Sequence, residues 1–524
     1  MCRSNLLLAV AASGLLAFSS FGCSALSSPS QCSASAQELT LTGHIDPAEV
    51  FSFVYVPFDV PPGVTNITVV QNYSSKGAGN SLDLGVFDPL GTEPISSLTG
   101  YTGSRGWSGG FRSNFTISAD GATPGYNAGP ILPGTWNVVL GPYTSLPSGI
   151  DWQLNITLSY NTAAFSLPWS PNHAATNLIP SSQLQHRLSP SLPSPQWLRG
   201  DLHMHSVYSD GRYLPSQQIA NALAQNLSFV FFSEHNTASG NQNIGSWIPA
   251  DADLLVLRAI EVTTRHGHWN AFGLDPAQQV EWRYTNASGD AGYETATKQV
   301  HAAGGLVSVN HPFQNCSRCD WTLSWEWNDA IEVWNGRFDP LDEQAVQWWH
   351  SELVKGKNIV AVGGSDAHHP GDMNGIPTTV VSVSERSQVG VVRGIREGAV
   401  YLIEGPGKDL EFYMESRQSE VEREQARGSH RRPNQRWEIG QTVNKQDRLE
   451  ITSPLTAVFS ATGFDPAAAK ACFISDAGYF HNESVVPGEK IVQVVDDGLR
   501  FVRVEVRNAS DVLLALTNPI FLGA

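Results

Sequence analysis

Between residues 197 and 405, short apolar runs alternate with helical patterns, and a polar cluster follows each run. Phe229-Val230-Phe231-Phe232 leads into Ser233-Glu234-His235, and Leu254 to Ile260, interrupted only by Arg258, leads into Glu261. Leu306-Val307-Ser308-Val309 leads into Asn310-His311-Pro312, and Ile359-Val360-Ala361-Val362 leads through Gly363-Gly364-Ser365 into Asp366-Ala367-His368. Short, β-branched-rich runs bounded by turn residues predict buried parallel strands. The stretches between them predict helices. Pro215 to Gln225 has proline in its first turn, Tyr293 to Ala303 stops at Gly304-Gly305, and Leu341 to Lys355 stops at Gly356. Alternating strands and helices with chemistry at successive strand C-termini is the TIM-barrel pattern.

The flanks read differently. From Leu39 to Tyr160 the chain is rich in Gly, Pro, Ser and Thr, with alternating runs at Asn66–Val70, Trp136–Leu140 and Asp151–Tyr160. A β-sandwich over 38–160 is expected, joined to the barrel (197–405) by a linker over 161–196 that is Pro/Ser-rich from Ser181 to Pro195. Leu449–Ala461 and Ile491–Ala515 alternate again, predicting a small terminal β-sandwich within 406–524. Glu415–Arg436 is dense in both charge signs and is expected as an exposed loop.

The richest chemistry lies in Gly200-Asp201-Leu202-His203-Met204-His205-Ser206-Val207-Tyr208-Ser209-Asp210-Gly211. Two histidines at i and i+2 on a strand put both imidazoles on one face, and Asp210 follows in a turn. Such an arrangement suits a metal ion. Five clusters at equivalent positions of five successive strands outweigh the bland reading of each histidine as an ordinary packed residue.

In order, Asp-Leu-His-x-His…Ser-Asp-Gly, Glu-His-Asn-Thr, Glu-Val-Thr-Thr, Asn-His-Pro and Gly-Ser-Asp-Ala-His resemble the polymerase and histidinol phosphatase (PHP) superfamily of metallohydrolases. Gly267-His268-Trp269-Asn270 and Ile331-Glu332-Val333-Trp334-Asn335-Gly336 are most similar to its carbaryl-hydrolase-like branch. The resemblance implies a distorted (β/α)7 barrel with two or three divalent ions. The implied ligands are His203, His205, Asp210, His235, Glu261, His268, His311, Asp366 and His368, with Glu261 bridging two ions. His266, His268 and Asn270 share one strand face; the Gly-His pairing selects His268, and the other two stay open. Glu234 stands where many relatives carry Asp. Asp201 is expected to orient an imidazole through its far N–H, while His301 and His369 carry no assigned role.

Mixed imidazole and carboxylate donors suit zinc, manganese or iron rather than calcium. The resemblance thus implies hydrolysis by a metal-bridging hydroxide, with Glu261 and Asp366 central, and no nucleophilic Ser or Cys is evident. A small phosphate ester is the leading substrate class. A carbamate or carboxylic ester is the second, and a non-catalytic secreted binding glycoprotein is the third reading.

Arg3 followed by the apolar run Leu6–Phe18 predicts a secretory signal over 1–25, with cleavage after Ala25 or as late as residue 36. Ser20-Phe21-Gly22-Cys23 lacks the leucine expected three residues before a lipidated cysteine. Nine Asn-x-Ser/Thr sequons, beginning at Asn66, Asn72, Asn114, Asn155, Asn226, Asn286, Asn315, Asn482 and Asn508, then point to a glycosylated extracellular protein. In that setting Cys316-x-x-Cys319 reads as a local disulfide. No segment has the apolar length of a transmembrane helix. A net charge of -17 repels phosphate backbones, which excludes nuclease and proofreading roles. The substrate is therefore a small molecule, and the oligomeric state is not encoded in any motif.

Overall fold

The computed structural model describes residues 36–93, 103–160, 192, 194–249, 252–276, 278–285, 288–315, 319–416, 435–451 and 454–523. The signal segment, most of the linker and most of the charged loop lie outside these residues. The chain divides into two compact units, residues 1–92 with 103–172, and residues 93–102 with 173–524.

The first unit is all strand: β1 (Ala36–Ile45), β2 (Val54–Val60), β3 (Asn66–Tyr73), β4 (Ser81–Phe87), β5 (Ser104–Trp107), β6 (Asn114–Ser118), β7 (Gly134–Thr144) and β8 (Ile150–Ser159). They form two four-stranded antiparallel sheets, ordered β1-β8-β3-β6 and β2-β7-β4-β5. The alternation seen in sequence is the burial alternation. Leu154, Ile156 and Leu158 of β8 and Leu82, Leu84, Val86 and Trp136 of the other sheet enter one shared core. Burying side chains of this size is worth roughly 1.5–3 kcal/mol each.

The second unit carries the candidate chemistry. Its strands are β9 (Gln196–Asp201), β10 (Phe229–His235), β11 (Leu255–Thr264), β12 (Gly267–Phe272), β13 (Leu306–Asn310), β14 (Ala330–Asn335), β15 (Val360–Gly364), β16 (Thr378–Val383) and β17 (Val400–Ile403). They continue with β18 (Asp409–Ser416), β19 (Gln435–Glu438), β20 (Thr442–Val443), β21 (Thr456–Thr462), β22 (Lys470–Ser475), β23 (Gly478–Ser484), β24 (Ile491–Val494), β25 (Phe501–Arg507), β26 (Leu513–Thr517) and β27 (Ile520–Leu522). One sheet runs β15-β14-β13-β12-β11-β10-β9-β16-β17-β26-β25-β22-β23. β9, β10 and β11 pair in parallel, as do β13, β14 and β15, whereas β12 is antiparallel to both its neighbours. The fold is thus mixed α/β and strand-rich.

The predicted helices lie at Pro215–Ala224, Gly289–Ala302 and Pro340–Val354. Asp339 stops the third from fraying, its side chain accepting the N–H of Leu341 and Asp342. Ala345, Val346, Trp349 and Leu353 of the third helix share one core with the strand residues Phe231, Leu257, Val333 and Val362, and Ile219 and Ala222 of the first pack with Val230 and Phe232 in another. Among the described residues no helix is long and apolar enough to cross a membrane.

Three local features differ from the sequence reading. His203 and His205 lie just beyond β9, on an isolated bridge between Met204 and Ala367, because the Asp201 carboxylate takes the local backbone N–H groups. Leu449 belongs to a short helix, Lys445–Glu450, capped by Asn444, so the terminal alternation starts only at β21. The C-terminal strands also extend the central sheet, because β17 pairs with β26. The outer edge of β15 is met by side chains instead of a ladder. Thr379 Oγ1 accepts from Gly363 N at 3.1 Å, and Asn518 brackets Ala361, accepting from its N at 2.9 Å and donating to its O at 2.8 Å.

Candidate metal centre

Each cluster is delivered by a strand end or by strand register. His235 is the last residue of β10 and sits beside Glu261 of β11 in the parallel register. In the antiparallel β11–β12 hairpin Thr263 opposes His268, and His268 in turn opposes Asn310, immediately before His311. Asp366 and His368 follow β15. His311 and Asp366 both have positive φ, 27° and 52°, a conformation costly for these residues and one that aims their side chains out of the strand direction. Gly364 is required here, since a Cβ on it would lie 2.4 Å from His203 Cβ.

The six imidazoles and three carboxylates meet in overlapping groups: His205, Asp210, His235 and His368; His203, His205 and Asp366; His203, Glu261 and His311. His268 joins through His311, with Cys319 beside both. The alternatives to His268 point elsewhere: His266 Nδ1 pairs with Thr322 Oγ1 at 3.0 Å and Asn270 Nδ2 reaches the Leu202 carbonyl.

Spacing argues for ions at these points. His203 Nε2 lies 3.1 Å from His205 Nε2, 3.2 Å from Asp366 Oδ1 and 3.3 Å from Glu261 Oε1. His205 Nε2 lies 3.1 Å from Asp366 Oδ1 and 3.3 Å from Glu261 Oε2. Donors each ~2.0–2.1 Å from one tetrahedral zinc lie about 3.3 Å apart, and these spacings match such edges. Glu261 splits its oxygens as a bridge would: Oε1 faces His203, His268 and His311, and Oε2 faces His205 and His235. Asp210 Oδ1 gathers His235 and His368 at 3.4 and 3.1 Å. Asp366 Oδ1, His268 Nδ1 and His311 Nδ1 are buried without hydrogen-bond partners, a costly state that a cation near the cluster relieves.

Mutual charge dominates the titration of the cluster. Burial opposes charge on His203 and His235, yet Asp366 and Glu261 around the first, and Asp210 and Glu261 around the second, hold both well above the ordinary imidazole range. Burial likewise opposes the raised His311, where Glu261 prevails, and His368 is pushed up to about 9 by Asp210 and Asp366 against its burial. Burial raises and the imidazoles lower Glu261, Asp366 and Asp210, and all three end well below the usual carboxylate range. His268 is the exception, lowered by burial.

Supporting groups around the cluster are largely invisible in the motifs. Glu332, only 3% exposed, accepts from His203 Nδ1 at 3.0 Å and from the backbone N–H of His311 at 3.0 Å. It fills the orienting role expected of Asp201, which instead accepts backbone N–H groups of His203, Ser365 and Gly375. Its signal was a carboxylate embedded in an apolar strand. Glu234 accepts from Ser206 Oγ and from Ser209 Oγ, and Ser209 Oγ lies 3.3 Å from His205 Nδ1. The longer side chain thus ties the His205 loop to β10. His301 pairs with Asp329, and His369 pairs with Asp372 while its ring stacks 5.9 Å from that of His368.

No family model and no curated protein matches the chain. Solved structures give partial matches. One is a two-domain protein from Bacteroides vulgatus containing a PHP-like metal-dependent phosphoesterase, at 19% identity over 63% of this chain and 97% of that one, TM-score 0.33. Another is an amidohydrolase from Chromobacterium violaceum with bound sulfate and no metal, at 18% identity over 33% of this chain and 89% of that one, TM-score 0.23. A third, described as a metal-dependent phosphoesterase from Bifidobacterium adolescentis, matches at 20% identity over 33% of this chain and 89% of that one, TM-score 0.23. The likeness of all three to this chain is too low to establish a common fold.

Proposed function

We propose that the protein is a secreted, divalent-metal-dependent hydrolase of PHP type, acting on a small phosphate ester. The observation that carries this reading is the set of donor spacings of 3.1–3.3 Å joining His203, His205, Glu261 and Asp366. In this reading β9–β17 form the distorted (β/α)7 barrel, with Thr379 and Asn518 closing it at β15, and flanking β-sandwiches complete the molecule. His203, His205, Glu261 and Asp366 would hold one ion. His268 and His311, which face Oε1 of Glu261, would hold another, and Asp210, His235 and His368 a third. Bound there, divalent zinc, manganese or iron lowers the pKa of water and polarises the scissile group. The protein's own part is orientation. Glu332 fixes the His203 tautomer so that Nε2 faces the cluster, Glu234 secures the His205 loop through Ser209, and Asp201 holds Ser365 and Gly375 behind it.

A carbamate or carboxylic ester is the second reading, carried by the resemblance of Gly267–Asn270 and Ile331–Gly336 to the carbaryl-hydrolase-like branch. Metal analysis of the purified protein, with a panel of phosphate, carbamate and carboxylic esters assayed before and after chelation, tests both. Metal-dependent turnover of phosphate esters with solvent oxygen in the phosphate is expected. Turnover that survives complete metal removal, or no bound metal and no turnover on any ester, defeats the enzyme reading.

A further inference from the structure

Leu198 of β9 enters the core shared with Phe231 and Val362, and its neighbours Trp197 and Arg199 project from the other face of the strand. There Arg199, Val380 and Tyr401 stand side by side across β9, β16 and β17. With Asp409–Phe412 of β18, and Arg436 and Glu438 of β19, they line a cavity of about 300 Å³. That is the lower end of the ~300–1,000 Å³ range of ligand pockets. Trp197 is 39% exposed, and its indole is braced by the buried Tyr401 ring, with centroids 5.1 Å apart. The polar groups are held in charge pairs. Arg199 Nη2 lies 3.2 Å from Asp409 Oδ2, its Nη1 donates to Lys408 O at 2.7 Å, and Asp409 Oδ1 accepts from the Tyr401 hydroxyl at 2.5 Å. Arg436 donates from Nε to Glu438 and from Nη2 to Glu411, at 2.5 and 2.9 Å, while its guanidinium sits 3.5 Å from the Tyr413 ring centroid.

This lining selects a class of ligand. A guanidinium has five N–H donors and a carboxylate about four acceptor sites, so each pair keeps donors and acceptors for a bound molecule. Three carboxylates oppose an anion, and two guanidiniums oppose a cation. A neutral molecule meets neither penalty, provided that it both donates and accepts at several points and offers a C–H face to an aromatic ring. Sugar hydroxyls meet the first condition, and the ring carbons of a pyranose meet the second. We propose that this cavity binds a neutral saccharide, stacked on Trp197 and hydrogen-bonded by Asp409, Glu411, Arg436 and Glu438. The cavity shares β9 with the segment that leads into His203, yet none of its lining residues belongs to the metal cluster. The sugar is therefore held apart from the reacting centre.

The full chain is mixed in turn with cellobiose, xylobiose and N,N'-diacetylchitobiose, and saturation-transfer difference NMR reads transfer from protein to the sugar ring protons. At least one of the three is expected to bind, and neither tetramethylammonium nor a sulfated heparin disaccharide should displace it. Trp197→Ala should weaken that binding by about tenfold or more, and Trp197→Tyr, which keeps a ring, should retain most of it. Glu411→Ala, at an exposed rim position, should also weaken it, so the outcome does not hang on one aromatic substitution. Zinc binding should be unchanged in all three variants, which separates this cavity from the metal centre. Transfer to none of the three sugars, displacement by either ion, or equal binding in wild type, Trp197→Ala and Glu411→Ala overturns the proposal, as does saccharide binding that is lost only together with zinc.

Discussion

Replacing Glu332 by glutamine tests whether the centre depends on an orienting carboxylate that never touches the ion. Glu332 Oε1 accepts from His203 Nδ1 at 3.0 Å, while Oε2 accepts from His311 N and Asn335 Nδ2, each at 3.0 Å. With its proton held on Nδ1, His203 presents a bare Nε2 to His205, Glu261 and Asp366. Glutamine has one acceptor oxygen and one NH2. Either way round, the NH2 confronts a buried donor, His203 Nδ1–H or the pair from His311 and Asn335. One buried donor left without an acceptor costs ~1–3 kcal/mol. Losing the partner of a ligating histidine typically lowers metal affinity by ~10–100-fold, equivalent to ~1.4–2.8 kcal/mol, and the two ranges agree. Competition titration against a chelator, with near-ultraviolet circular dichroism to show that the variant is folded, should read a loss of roughly 10–100-fold for Glu332→Gln. A folded variant that binds zinc or manganese within twofold of wild type would refute the orienting role.

Other perturbations have equally definite outcomes. In chelator-treated protein the raised histidines stabilise the fold only while they are protonated. For His368, raised to about 9, that contribution is complete below its unfolded value near ~6.5 and is lost as pH climbs through about 9. The unfolding temperature of the metal-free chain should therefore fall between pH 7 and 9, the metal-loaded chain should not follow it, and a rise in the metal-free chain would contradict the charge assignment. Asn518→Ala strips partners from Ala361 N, Ala361 O and Val400 O, and denaturant unfolding should show a loss of ~2–4 kcal/mol. Mature protein from its natural host should begin near Leu26 or Gln37 and lose mass on enzymatic deglycosylation; a cytosolic chain retaining Met1 would end the secretory reading.

Much of the centre was legible because its residues obey local rules. Apolar runs ending in His235, Glu261 and His311 fix strand ends, and register then brings the residues side by side without further information. What the sequence hid is long-range or depends on one side chain replacing backbone. Alternation over Ile491–Ala515 predicts strands there but cannot say that β26 pairs with β17, over a hundred residues away. The i, i+2 rule put His203 and His205 on a strand, and their shared face survives although the ladder stops at Asp201, because the Met204–Ala367 bridge keeps the backbone extended. Glu332 is a carboxylate in an apolar run that enters the sequence reading only through its resemblance, and nothing in the chain ties it to a histidine 129 residues earlier. Cys319 is similar: its spacing to Cys316 pointed to a disulfide, and its place beside His268 and His311 emerges only from the packing of Trp321 on Gly267.

The bracket that Asn518 makes on Ala361 also sets an order of events during synthesis. β10 and β11 find their neighbours within a few dozen residues, so His235, Glu261 and His268 can come together while the chain is still emerging. The outer edge of β15, the strand that delivers Asp366 and His368, is satisfied in part by a side chain 157 residues further on. At ~5–20 residues per second that partner arrives roughly 8–30 s later. Throughout the interval β15 carries open N–H and C=O groups on that edge, the kind of edge that recruits other chains. Until residue 518 arrives, Thr379 is the side chain that meets this edge of β15, at Gly363 N.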